Sequence, residues 1–125
     1  MNLVDSSGWL EYFTNGPNAQ QFLAPLKDSK SLVVPSISIF EVFKVVLRER
    51  GENEALQAAA AMQKGTVVEL SSKLALAAAK LSLEHKIPMA DSIILATARA
   101  NQATLWTQDA DFKGMQEVRF FPKKK

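Results

Sequence analysis

Two periodicities alternate along the chain. Short runs rich in aliphatic and β-branched residues stand at Asn2-Leu3-Val4, Leu32-Val33-Val34, Thr66 to Leu70, Thr104-Leu105-Trp106 and Val118 to Phe121, each of strand length. Between them apolar residues return every three or four positions, which places them on one side of a helix. The pattern predicts a first helix carrying Trp9, Leu10, Tyr12 and Phe13, opened by the capping residues Asp5-Ser6-Ser7 and closed by Asn15-Gly16-Pro17. A second helix is expected from about Asn18 to Lys27. Pro35 ends the second strand, and Ser36 is placed to cap a long helix to Arg50, with Ile37, Phe40, Phe43, Val46 and Leu47 as its apolar stripe and Gly51 as its stop. Further helices are expected over about Asn53 to Gln63 and from Ser71-Ser72 to His85, the latter with Leu74, Ala78, Leu81 and Leu83 near one face. After the break at Pro88, Ala90-Asp91-Ser92 opens a last helix that runs to Ala100.

Short strands alternating with longer helices imply a parallel sheet covered on both faces, because each crossover between parallel strands lays a helix on the sheet. The expected fold class is α/β, and 125 residues suffice for one such domain. The apolar share of 47% is ordinary for a globular chain, and no apolar run approaches the roughly 18 residues of a membrane span. With no cysteine there is neither a disulfide framework nor a thiolate metal site, and with no signal-like segment at Met1 to Asp5 a cytoplasmic protein is expected. Charge alters this picture little. Fifteen Lys and Arg stand against thirteen Asp and Glu, but three of the fifteen are Lys123, Lys124 and Lys125, so the body of the domain is close to neutral.

In open α/β sheets, ligands gather beyond the carboxyl ends of the strands. Asp5 directly follows the first strand, Asp109 follows the Thr104 to Trp106 strand, and Glu41 lies near the start of the helix after the second strand. Asp91 opens a helix that follows another helix, and Asp111 stands two residues past Asp109. Each has a plainer reading: Asp5 and Asp91 as helix N-caps, Glu41 as the partner of Lys44 on a solvated face that also carries Arg48, and Asp109-Ala110-Asp111 as a turn. As a set they point to a cation. Mg²⁺ and Mn²⁺ take oxygen ligands, and carboxylates crowded at one sheet edge repel each other unless a cation sits among them. The single histidine, His85, reads as a cation at a helix C-terminus. There is no Gly-rich phosphate loop with a following Lys and no Gly-x-Ser-x-Gly elbow. Asp109 to Gly114 imitates the start of a calcium loop, but Lys113 and Phe120 stand where oxygen ligands belong.

Four stretches carry a resemblance: Val4-Asp5-Ser6-Ser7, Ser36-Ile37-Ser38-Ile39-Phe40-Glu41-Val42, Ala90-Asp91-Ser92-Ile93-Ile94-Leu95-Ala96-Thr97-Ala98 and Leu105-Trp106-Thr107-Gln108-Asp109-Ala110-Asp111-Phe112. In content and order they resemble the acidic motifs of PIN-domain ribonucleases, more narrowly those of VapC-type toxins. The resemblance implies a single PIN-like domain over 1–122, a three-layer α/β/α sandwich with a short parallel central sheet, followed by a basic tail at 123–125. It also implies a Mg²⁺- or Mn²⁺-dependent endoribonuclease in which Asp5, Glu41, Asp91 and Asp109 hold the metal and do the catalysis, with Asp111 a fifth acid that exchanges importance with Asp109 among relatives. Thr107 matches a hydroxyl that steadies the fourth motif, and Ser6 one beside the first acid. RNA as substrate, a VapB-type antitoxin that blocks the site and a homodimer are implied as well. On the RNA side, Lys44 and Arg48 are the expected phosphate contacts, with Lys123 to Lys125 adding affinity. Two other readings are open at this stage: a PIN-like scaffold that binds RNA or protein without cutting, and a receiver-type signalling domain, against which stand Ser6 after Asp5 and Leu70 after Glu69.

Overall fold

The computed structural model describes residues 1–124; Lys125, the end of the expected basic tail, lies outside the described residues. In chain order the elements are β1 (Asn2–Val4), α1 (Ser6–Phe13), α2 (Ala19–Lys27), β2 (Leu32–Pro35), α3 (Ser36–Arg50), α4 (Glu52–Met62), β3 (Thr66–Val68), α5 (Ser72–His85), α6 (Met89–Ala100), β4 (Thr104–Thr107) and β5 (Val118–Phe120), with short 3₁₀ turns at Ser29–Ser31 and Ala110–Phe112. All strand pairs are parallel, in the order β3-β2-β1-β4-β5. That order excludes the receiver reading, since the receiver sheet runs 2-1-3-4-5 with its third strand inside, whereas here β3 is an edge.

Side chains of successive strand residues point to opposite faces, and the two cores sort accordingly. Val4, Leu32 and Val34 join Trp9, Phe22, Val42, Val46, Ala55, Ala58 and Met62 under α1 to α4. Leu3, Val33 and Leu105 join Ile87, Ile94, Leu95, Ala98 and Phe112 on the other face, where α6 lies. Helices thus cover both faces, giving the expected three layers.

Several local expectations are corrected. Pro35, not Ser36, occupies the capping position of α3, and no side chain caps that helix. The buried stripe of α3 is Ser38, Val42 and Val46, spaced four apart; Phe40, two residues from either neighbour in that stripe and so about 200° round the helix, is 63% exposed, and Leu47 is exposed too. The same geometry turns Leu83 outward at 84% exposure while Leu74, Ala78 and Leu81 pack against α6. On the first helix Trp9 is core, stacked on Phe13 with centroids 5.6 Å apart, and Tyr12 faces solvent.

The seat of α1 on β1 depends on the absence of a side chain at Gly8. A Cβ there would stand 2.5 Å from Val4 Cγ1 and 2.8 Å from Phe22 Cε1, and both of those side chains are fully buried. Gly to Ala inside a helix ordinarily stabilises by about 1 kcal/mol through propensity. At this position overpacking of a closed core outweighs that gain. We expect Gly8→Ala to destabilise by about 1–3 kcal/mol in urea unfolding; an equal or higher midpoint would show that α1 is free to slide on the sheet.

Candidate active site

The β1–β4 register decides which residues meet at the carboxyl edge of the sheet. Val4 lies opposite Trp106, and the Asp5 N–H bonds the Trp106 carbonyl at 3.1 Å, so Asp5 and Thr107 are neighbours at the strand ends. Thr107, wholly buried, donates its hydroxyl to Asp5 Oδ2 at 2.6 Å and accepts from the Asp109 N–H at 2.9 Å. Asp5 Oδ1 accepts from the Ser7 hydroxyl at 2.7 Å and the Gly8 N–H at 3.0 Å, so Asp5 is the N-cap of α1 as well as a member of the acidic set. A carboxylate offers about four lone-pair sites; three donors leave one for a further partner.

Asp91 is not an N-cap. Pro88 takes that position, Asp91 is the third residue of α6, and no capping bond forms, which leaves its carboxyl available to the β4 side. Asp109 closes its own turn, its Oδ1 accepting from the Asp111 N–H at 2.9 Å. The turn reading and the site reading hold together, because that turn is what aims both carboxylates. Asp91, Asp109 and Asp111 each offer an oxygen within 4.8 Å of the others.

The remaining expectations fare less uniformly. Glu41 is not one of the three clustered acids; it accepts from the Ser6 hydroxyl at 2.7 Å, so Ser6 ties the second motif to the first instead of serving Asp5. Among the described residues Lys44 forms no ion pair with Glu41 and lies 5.8 Å from the centroid of the Phe40 ring, while Arg48 meets Glu49 at 3.5 Å, both well exposed. Because β5 is parallel to β4 and Thr107 is opposite Phe120, the chain leaves the sheet at the acidic edge and brings exposed Lys123 and Lys124 out there.

Burial and mutual repulsion govern these carboxyls. Burial pushes Asp5 from the ordinary 3.8 up to about 6, against the bonds from Thr107, Ser7 and Gly8 that favour its ionised form, with Asp109 raising it further. Asp91 rises to about 8, first through burial, then through a hydrogen bond with Asp111 and the charges of Asp109, Asp111 and Asp5. At an effective dielectric of about 20, two carboxylates 4.8 Å apart repel by roughly 3 kcal/mol, less where Asp111 meets solvent. An all-oxygen donor set under such repulsion suits a hard divalent ion such as Mg²⁺ or Mn²⁺.

Four residues at this edge escaped the sequence reading. Asn18 and Gln108 are buried polar side chains joined at 3.0 Å, Glu11 bonds both, and Ser7 accepts from the Gln108 N–H at 3.3 Å. The only cue was the position of Gln108 between Thr107 and Asp109, and nothing in spacing links it to Asn18, ninety residues earlier.

A family model of the PIN domain matches residues 3–118. No curated protein matches the chain. Among solved structures it is similar to a toxin–antitoxin complex from Klebsiella pneumoniae, with a TM-score of 0.80 and 24% identity over 95% of this chain and 96% of that one. It is similar also to VapC20 of Mycobacterium tuberculosis, a toxin that cleaves the Sarcin-Ricin loop, with a TM-score of 0.78 and 19% identity over 95% and 99%. A third likeness is to VapBC2 from Rickettsia felis bound to a fragment of its promoter DNA, with a TM-score of 0.73 and 16% identity over 97% of each chain. At these identities the likeness establishes the fold.

Both perturbed acids bind their protons more tightly folded than unfolded. The folded chain therefore holds more protons above pH 3.8, and cation-free stability is lost as pH rises, first through about 6 for Asp5 and then through about 8 for Asp91. Melting curves in chelator should fall in temperature between pH 5 and 8, and Asp91→Asn should melt higher than the parent at pH 8 with a flatter pH dependence. A melting temperature that climbs across this range, or a destabilised Asp91→Asn, would contradict the electrostatic picture.

Proposed function

The chain belongs to the PIN-domain family, and on that premise we propose that it is a divalent-metal-dependent endoribonuclease, the toxin of a toxin–antitoxin pair. The observation that supports this most is the meeting of Asp91, Asp109 and Asp111 within 4.8 Å beside a buried Asp5, on elements far apart in sequence. Asp5, Asp91, Asp109 and Asp111 are the proposed metal-holding residues, with Glu41 at the same edge as a further acid toward substrate or water. A divalent ion held there supplies Lewis-acid polarisation of the scissile phosphate and a water acidified enough to attack. Thr107 and Ser7 favour the ionised form of Asp5 against its burial and fix its direction, so no reorientation is needed when charge develops. Lys44, Arg48, Lys123 and Lys124 face solvent and neutralise phosphates of the bound strand, which positions RNA without reading its sequence. Attack by water with departure of the 3′ oxygen leaves 5′-phosphate and 3′-hydroxyl ends.

The Klebsiella and Rickettsia neighbours are complexes with antitoxins. We extend that to this chain: a VapB-type antitoxin would cover apolar surface, such as the groove of about 510 Å³ lined by Phe13, Val46, Arg50 and Ala58 toward the far ends of α1 and α3, and present a cation to the acids. A homodimer belongs to the same proposal, with Phe40, Leu83 and Met89 the most exposed large apolar side chains available to it besides Leu76. Among the described residues no helix is long and apolar enough to cross a membrane. A cytoplasmic location belongs to the toxin proposal.

Purified protein incubated with structured RNA should cut it in Mg²⁺ or Mn²⁺ and not in chelator, leaving 5′-phosphate ends. Asp91→Asn should lower the rate at least ~100-fold with its melting transition intact. Asp5 is a poorer probe, since an Asn amide there would face the Thr107 hydroxyl and cost stability as well. Undiminished cutting in chelator would rule out the metal mechanism; RNA binding without cutting in any divalent ion would favour the scaffold reading.

A further inference from the structure

The buried amides at this edge form one chain of hydrogen bonds with a single consistent orientation. Asn18 Nδ2 donates to the Pro122 carbonyl at 2.9 Å, which fixes that amide as the donor toward Gln108 Oε1 at 3.0 Å. Gln108 must then turn its Nε2 toward Glu11 Oε1, a carboxylate oxygen that can only accept, at 3.4 Å. Glu11 Oε2 in turn accepts from the Asn18 N–H at 2.6 Å, closing the loop. The backbone of Gln108 is held from the other side, its N–H donating to the same Ser7 hydroxyl that bonds Asp5.

Gln108 lies between Thr107, which bonds Asp5, and Asp109, whose turn aims Asp111. We propose that Gln108, seated by Asn18 and Glu11, is a positioning residue that sets where Asp109 and Asp111 stand relative to Asp5 and Asp91, and so sets the affinity for the divalent ion. The proposal rests on the metal-dependent reading above. Thr107 and the Gln108 N–H hold the β4 end of this loop to Asp5 and Ser7. Gln108 adds the anchor to α1 and to the start of α2, so the acidic turn is held by the same two helices that enclose the edge. Partners behind metal-holding groups commonly carry 10- to 100-fold in metal affinity.

The test is Mn²⁺ binding followed by electron paramagnetic resonance of the free ion, at a temperature well below melting. Gln108→Met keeps side-chain length and removes both amide bonds; it should bind Mn²⁺ about tenfold more weakly than the parent. The exchange Glu11→Gln with Gln108→Glu keeps net charge and reverses one bond: the new amide at 11 donates to the new carboxylate at 108, which still accepts from Asn18. It should recover to within about threefold of the parent. If Gln108→Met fails to fold, Asn18→Ala, which takes away the support of Gln108 Oε1, carries the same expectation. Parent-like affinity in the single variants, or an exchange variant no tighter than Gln108→Met, overturns the proposal. A parent protein that itself binds no Mn²⁺ overturns the metal reading instead.

Discussion

The parallel pairing of β1 with β4 is the constraint on which the site depends. Neither strand is long, and neither carries an acid within its ladder. Their register, with Val4 opposite Trp106, delivers Asp5 and Thr107 to adjacent places just past the last pair. The alternation that sends Leu3 and Leu105 into the core under α6 places Asp5 and Thr107 on that side too, where α6 brings Asp91. A one-residue slip would turn Asp5 to the other face of the sheet, away from Thr107, and exchange Leu3 and Val4 between the two cores, so the packing of both faces protects the chemistry. One buried hydroxyl, that of Thr107, then converts sheet register into carboxylate position by serving Asp5 and Asp109 at once.

The acids are a liability in the cation-free chain. Asp5 is buried yet accepts three hydrogen bonds that favour its charge, while Asp91 lacks such donors and meets three other carboxyls. The first is held in direction, and the second keeps its proton to higher pH in the cation-free chain. This division follows from their backbones: Asp5 is the N-cap of α1 and accepts the Gly8 N–H, whereas Asp91 lies within the first turn of α6, with Pro88 in the capping place and no capping bond.

The sequence carried the layers, the five strands and most helix bounds, because alternation of short β-branched runs with helical spacing is strong wherever both faces of a sheet are covered. It also carried the acids at the strand ends, the resemblance naming the same residues that topology suggested. Direction around a helix was less legible: Phe40 and Leu83 are apolar and correctly spaced from some neighbours, but a residue two away from a buried position points out whatever its type. Ser36 and Asp91 looked like caps because capping chemistry is local, and a preceding Pro took the capping place in both. The bonds Ser6 to Glu41 and Asn18 to Gln108 span 35 and 90 residues and left no local pattern to read.

The central claim is that Asp5, Asp91, Asp109 and Asp111 surround one place where a divalent cation belongs. Crystals grown or soaked in Mn²⁺ and measured at a wavelength where manganese scatters anomalously would test it directly. An anomalous peak within bonding distance of Asp91 and at least one of Asp109, Asp111 or Asp5, lost in Asp91→Asn crystals, is the predicted result. No peak at the acidic edge, with Mn²⁺ present in the crystal, would contradict the account.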